Sequence, residues 1–343
     1  MDPSLIVMWV GFALASYSVV GNDVIQTLGT FLTSNEKKVK WYILWAFAAS
    51  IMVFALVNGY MQNDIDYGRL DKFDLDAISY NWYYVLPPLV LLLITRFGIP
   101  VSTTFMVLTL FSLSSIPNDL GSMTASVFDG DAKLGGMIQK SIMGYLIAFS
   151  SAIVIYGLIS RLTEKKFLEN PVQDKHRPIW VGLQWFTTGF LWYQWLTQDL
   201  ANIYVYLKGG VDLSLGGFIV SLLILVGLLG YIFYAAGGKV QDVVREKTNT
   251  VDIRAATFID FIYGVILYIF KYNYLGLFEA KLPMSTTWVF IGLLAGREIG
   301  IRLNLEGKVS KKIGKMVFTD LSKVFFGLVV SVVLVFIIKL IGG

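Results

Sequence analysis

Two short stretches of this chain set side-chain amides beside a carboxylate: Asn22 and Asp23 with Gln26, and Gln198 and Asp199 with Asn202. Two others set three hydroxyls in a row after a proline: Ser102, Thr103 and Thr104 follow Pro100, and Ser285, Thr286 and Thr287 follow Pro283. Carboxylate, amide carbonyl and hydroxyl oxygens are the ligands that hard cations prefer. Hydroxyls at the start of a helix add donors to its unpaired N–H groups and partial positive charge, a combination that suits a tetrahedral oxyanion. Such an anion is repelled by two aspartates, and none of the four stretches contains Arg or Lys. Cations must then enter with the anion, or protons must neutralise the aspartates. Each stretch alone has a plainer reading: an aspartate capping a broken helix, or Ser and Thr bonding their own backbone. Two copies of each pattern favour binding.

The elements that hold these residues are apolar. The chain has 343 residues, 56% hydrophobic and 15% charged, and a mean hydropathy of +0.66. That balance predicts an all-α polytopic membrane protein. Ten crossing runs are read at 5–33, 41–60, 80–95, 98–127, 134–160, 179–207, 213–235, 255–272, 282–304 and 317–341. Several exceed the about 20 residues that one crossing needs. Breaks at Gly21-Asn22-Asp23 and at Pro100 and Pro117 predict split helices or re-entrant hairpins, giving 10–12 segments in all. An aspartate at bilayer depth costs about 2.5–3.5 kcal/mol and marks function by default.

With the N-terminus outside, the inner loops hold 19 Lys and Arg and the outer loops 7. This positive-inside bias places both termini outside a plasma or inner cell membrane. The start, Met1-Asp2-Pro3-Ser4, lacks a basic n-region, so the first run is expected to remain as a mature span. There is no cysteine, and the sole histidine is His176, which excludes thiolate and histidine metal cages. The net charge of +4 lies in short loops, so no nucleic-acid partner is expected; the lipid bilayer is the partner this composition implies.

The landmarks recur in order. Asp23 precedes Ser102 by 79 residues and Asp199 precedes Ser285 by 86. Five crossings per half, an odd number, give the halves opposite polarity. This predicts inverted-topology repeats, 1–160 and 179–343, joined by a cytoplasmic loop at 161–178, with the site at the midplane where they meet.

These motifs resemble those of the inorganic phosphate transporter (PiT) family, which carries G-A-N-D-V-A-N and G-x-P-V-S-T-T-H in each half. The matching residues are Asn22, Asp23, Val24, Gly29 and Thr30, then Gly98, Pro100, Val101, Ser102, Thr103 and Thr104. In the second half they are Asp199, Ala201 and Asn202, then Pro283, Ser285, Thr286 and Thr287, with Gly237-Gly238-Lys239-Val240 between. The resemblance covers nearly the whole chain. Gln26 and Gln198 stand where the family has asparagine, and Phe105 and Trp288 where it has histidine.

The resemblance implies a homodimeric symporter of inorganic phosphate, coupled to sodium or protons, with no enzymatic activity and no cofactor. Phosphate would bind at Ser102, Thr103, Thr104, Ser285, Thr286, Thr287, Gln26 and Asn202. Cations would bind at Asn22, Asp23, Gln198 and Asp199, with sodium on the two aspartates. The alternatives are the same machine for another oxyanion such as sulfate, an intramembrane aspartyl protease with the aspartates as a dyad, or a channel. Asp260 has no matched acid in the first half; a second-shell acceptor, a site member and a structural partner are all open to it. Arg297 and Glu298 are expected to form a helix-end ion pair, and Trp192-Tyr193 and Tyr80 to Tyr84 an interfacial belt.

Overall fold

The computed structural model describes residues 3–35, 38–96, 101–160, 166–210, 213–235, 252–274, 276 and 282–342. Gly98, Pro100 and the Gly237–Val240 motif lie outside the described residues. The helices are α1 (Pro3–Asn35), α2 (Trp41–Met61), α3 (Leu86–Arg96), α4 (Thr103–Ser112), α5 (Leu120–Phe128), α6 (Lys133–Ile159), α7 (Lys166–Glu169), α8 (Arg177–Asp199), α9 (Ala201–Tyr204), α10 (Leu215–Tyr234), α11 (Ile253–Tyr272), α12 (Thr286–Glu306) and α13 (Lys311–Gly342). There is no strand among the described residues. Among the described residues six stretches are long and apolar enough to cross a membrane: Pro3–Val24, Trp41–Met61, Leu120–Leu158 (α5 and α6 together), Leu215–Tyr234, Ile253–Tyr272 and Lys311–Gly342.

Two expected breaks come out differently. Run 98–127 is split: α4 has 10 residues, about 15 Å of helix, and cannot cross alone. Run 5–33 is not split: α1 is one helix of 33 residues straight through Gly21-Asn22-Asp23. Its polar side chains find partners on neighbouring segments, so the backbone need not open. Ser18 donates to the Pro88 carbonyl at 3.0 Å, and Asn22 to the Val101 carbonyl at 2.8 Å.

Helix packing follows an exchange rule. α1 packs on α3 and α8 on α11, within their own halves of the sequence. α4 packs instead on α13, the last helix of the second half, and α12 on α6, the last long helix of the first. α2 and α10 pack on each other. The α6–α12 seam is the tightest: a Cβ on Gly292 would lie 2.5 Å from the Tyr145 carbonyl oxygen, and one on Gly296 would lie 2.1 Å from that of Phe149. With lipid on the outside, close backbone approach of this kind drives helix association. On the other seam a Cβ at Gly327 of α13 would lie 2.9 Å from Val101, just ahead of α4.

The loop 62–80 closes over the end of the second motif helix. After α9 the chain runs through a 3₁₀ turn, Val205–Gly210, and bends left-handed at Lys208, Gly209 and Gly210. Tyr80 donates to the Val205 carbonyl at 2.7 Å, Tyr206 to that of Tyr84 at 2.8 Å, and Lys208 pairs with Asp76 at 3.1 Å. The expected belt divides: Trp82 is 66% exposed and Tyr83 and Tyr193 are half-buried, but the others are core. Tyr80, Tyr84 and Trp192 are buried, and Trp192 stacks on Trp195 at 4.9 Å. Glu298 pairs with Arg302, one helical turn away, at 3.1 Å, while Arg297 lies buried over the Tyr156 ring. Adjacent helical residues point in different directions, so the expected Arg297–Glu298 pair is not made.

Candidate functional site

Both Ser-Thr-Thr stretches begin a helix in the same way. Ser102 (φ −68°, ψ 114°) caps α4 and Ser285 (φ −72°, ψ 109°) caps α12. Each serine oxygen accepts the backbone N–H three residues on, from Phe105 at 3.2 Å and Trp288 at 3.3 Å. The capped turns aim their threonines at the amide-aspartate segments of α1 and α8–α9.

One hydrogen-bonded chain then joins the two motif copies. Asn22 donates to its neighbour Asp23 at 2.7 Å, and the Thr103 hydroxyl donates to the other Asp23 oxygen. Asn202 donates to the Thr103 and Thr104 oxygens at 3.2 Å each and to Asp199 at 2.7 Å. Thr104 in turn donates to Asp199 at 3.4 Å. Threonines of the first half thus reach the carboxylates of both halves, and Thr286 of the second half also lies beside Asp199. Every member of the chain is buried.

The same side chains leave polar atoms without partners. The buried acceptors are Asn22 Oδ1, Gln198 Oε1, Asp199 Oδ2 and Asn202 Oδ1; the buried donors are Gln26 Nε2 and the Thr287 hydroxyl. The amide orientations are set by what their nitrogens bond. Asn22 Nδ2 faces the Val101 carbonyl, Gln198 Nε2 faces the Leu267 carbonyl at 3.2 Å, and Asn202 Nδ2 faces Asp199. Their oxygens are left over by necessity. A buried polar atom without a partner costs about 1–3 kcal/mol, so six in one place mark a locus built for something else to complete. Hard oxygens suit a cation such as sodium, and the two donors suit an oxyanion. Among the described residues no three His, Cys, Asp or Glu side chains converge.

Asp260 lies elsewhere. Its two oxygens accept the hydroxyls of Thr30 and Thr188 at 2.5 Å each. It thereby ties α11 to α1 and α8, and beyond it Asn35 donates to Gln184 at 2.8 Å. Thr30 and Thr188 were legible as polar positions on the motif helices, two turns past Asp23 and three turns before Asp199.

The four motif stretches contain no Arg or Lys, but Arg69, from loop 62–80, is buried at 3% exposed. Burial pushes its guanidinium down to about 10, with Asp199 and Asp66 holding it up, so it stays charged at neutral pH. Nothing in the spacing of Arg69 from the motifs could have placed it there.

These helices and their exchanged packing define a polytopic helical membrane protein. Its fold is shared with a solved structure described as the sodium-dependent phosphate transporter. The match has a TM-score of 0.59 and 16% identity, and covers 99% of this chain and 98% of that one. No family model matches the chain, and no curated protein matches it by sequence.

Proposed function

We propose that this protein is a secondary transporter that moves inorganic phosphate across a membrane together with cations, by alternating access between the two inverted halves 1–160 and 179–343. The observation that carries the reading is the buried chain Asn22–Asp23–Thr103–Asn202–Thr104–Asp199 and the six unpartnered atoms around it. Cations take the left-over oxygens of Asn22, Gln198 and Asp199 together with Asp23. Phosphate takes Gln26, Thr287, Asn202 and the capped turns at Ser102–Thr104 and Ser285–Thr287. The fold shared with the sodium-dependent phosphate transporter supports both cargoes.

Phosphate is favoured over sulfate because at neutral pH it can donate a proton to a carboxylate, and two carboxylates are present. A protease dyad shares one proton between two touching acids. Asp23 and Asp199 are instead each engaged by a threonine and an asparagine. Uptake of labelled phosphate by proteoliposomes tests the reading. Accumulation should follow an imposed sodium gradient, or failing that a proton gradient, and excess sulfate should not compete. Uptake that ignores both gradients, or that sulfate abolishes, would sink it.

A further inference from the structure

Among the described residues two lysines are buried, each in an apolar stretch long enough to cross a membrane and each bonded to non-helical backbone. Lys140 of α6 is 1% exposed and donates to the Leu282 carbonyl at 2.8 Å. Lys339 of α13 donates to the carbonyls of Leu113 and Ile116, the latter at 2.6 Å. Charged side chains at such places are costly and functional by default. The two differ in what their carbonyls adjoin. Leu282 stands shortly ahead of Ser285, the cap of the second Ser-Thr-Thr turn, whereas Leu113 and Ile116 follow the far end of α4, away from Ser102.

Lys140 is one member of a seat along a single face of α6. A Cβ on Gly136 would lie 2.6 Å from Leu282 Cδ1, and one on Gly144 would lie 3.0 Å from Met284 Sδ. Positions 136, 140 and 144 follow one another up the same helix face, with 141 beside them. Ser141 accepts the backbone N–H of Ser285 at 2.9 Å and donates to the Met137 carbonyl at 2.8 Å. Ser285 in turn accepts the Trp288 N–H at 3.3 Å. A relay of hydrogen bonds thus runs from the backbone of α6 into the first turn of α12, and α6 lies in the other half of the sequence. The first Ser-Thr-Thr turn is held differently: the Val101 carbonyl ahead of Ser102 accepts Asn22 of α1, from its own half.

We propose that Lys140 and Ser141 are positioning residues of the anion site: from α6 they fix the backbone at Leu282 and Ser285, and so the direction in which Ser285, Thr286 and Thr287 present their hydroxyls. This deepens the phosphate reading above and rests on it. An ammonium has three donors and no acceptor, and so can hold a carbonyl that the non-helical backbone before α12 leaves outside any helix. A hydroxyl serves a bound oxyanion only when it is held close to the productive geometry by the residues behind it. The seat therefore sets affinity without touching the ligand. Lys339 makes the same kind of bond far from either motif turn and serves the fold alone.

Two measurements test it. Binding of labelled phosphate is measured on purified wild type, on Lys140→Met, Ser141→Ala, Lys339→Met, Thr287→Val and Ser102→Ala, and on Lys140→Met combined with Thr287→Val or with Ser102→Ala. Hydrogen exchange of the 282–288 amides is followed on wild type and the lysine and Ser141 variants without phosphate. Lys140→Met should weaken phosphate binding by roughly tenfold or more, while Lys339→Met keeps wild-type affinity however far its unfolding temperature falls. Adding Thr287→Val to Lys140→Met should cost little more, because that hydroxyl is already misplaced, whereas adding Ser102→Ala should multiply the losses. Exchange at 282–288 should quicken in Lys140→Met and Ser141→Ala and stay slow in Lys339→Met. Should Lys140→Met not fold, Ser141→Ala replaces it in every arm. Wild-type affinity in both α6 variants, equal losses in Lys140→Met and Lys339→Met, or losses that multiply with Thr287→Val overturn the proposal. A wild type that binds no phosphate would overturn the phosphate reading, while exchange at 282–288 still decides whether α6 holds the turn.

Discussion

Asn202, in the second half of the chain, donates its side-chain amide to the hydroxyl of Thr103, in the first half, at 3.2 Å. Thr103 in turn donates to Asp23, and Asn202 to Asp199. On the proposed alternating-access reading, a movement of one half against the other would break this link and so couple ion occupancy at either aspartate to the relative position of the halves.

Asp23→Asn and Asp199→Asn keep shape and remove charge. Both are expected to abolish gradient-driven phosphate accumulation, because each removes a carboxylate that holds a cation in the proposed symport. Each net charge moved by symport is worth about 2.3 kcal/mol per 100 mV, so loss of a cation also lowers voltage dependence. Uptake in proteoliposomes clamped at several potentials reads both effects. Concentrative uptake persisting in both variants would make the aspartates structural.

Thr287→Val separates binding from stability. The Thr287 hydroxyl is buried without a partner, so its removal should leave the ligand-free protein as stable or slightly more so. A lost hydrogen bond to a charged ligand costs about 1.5–3 kcal/mol, so phosphate affinity should fall by roughly ten- to more than a hundredfold. Titration calorimetry beside thermal unfolding shows the split; unchanged affinity removes Thr287 from the site.

Ser102→Ala and Ser285→Ala act on both quantities. Each serine oxygen caps its helix, and losing a cap costs about 1 kcal/mol. Both variants should therefore unfold at lower temperature, and both should bind phosphate more weakly because the turn that presents the threonines loosens. A variant with normal unfolding and normal affinity would show that the cap is dispensable.

Gly296→Leu tests the seam between α6 and α12. Its first side-chain carbon would fall 2.1 Å from the Phe149 carbonyl oxygen, which is backbone and cannot step aside. The helices must part, and overpacking of this kind costs about 1–3 kcal/mol or more. A clear drop in the unfolding temperature in detergent is expected, whereas Gly314→Leu, with nothing near its Cβ, should behave as wild type.

Topology is open to labelling because the chain has no cysteine. A cysteine at position 170 should resist an impermeant reagent applied to intact cells and react once the membrane is opened. One at position 76, in loop 62–80, should react from outside. The reverse pattern would turn the molecule over.

Hydropathy and donor chemistry belong to single residues and short windows, so the membrane class, the two aspartates, their amides and the paired Ser-Thr-Thr turns were readable from the residues in order. The N-caps at Ser102 and Ser285 were equally local, because a hydroxyl reaches only three residues along its own chain. What the sequence could not contain is which distant groups would meet. Whether α1 breaks at Asn22 depends on the Val101 carbonyl, and Asp260 became a tie between helices because Thr30 and Thr188 come to it. The burial of Arg69, on a loop outside the motifs, was equally hidden. Burial and contact are properties of the packed chain, and only the tertiary structure could join Asp23, Thr103, Asn202 and Asp199 into one hydrogen-bonded chain.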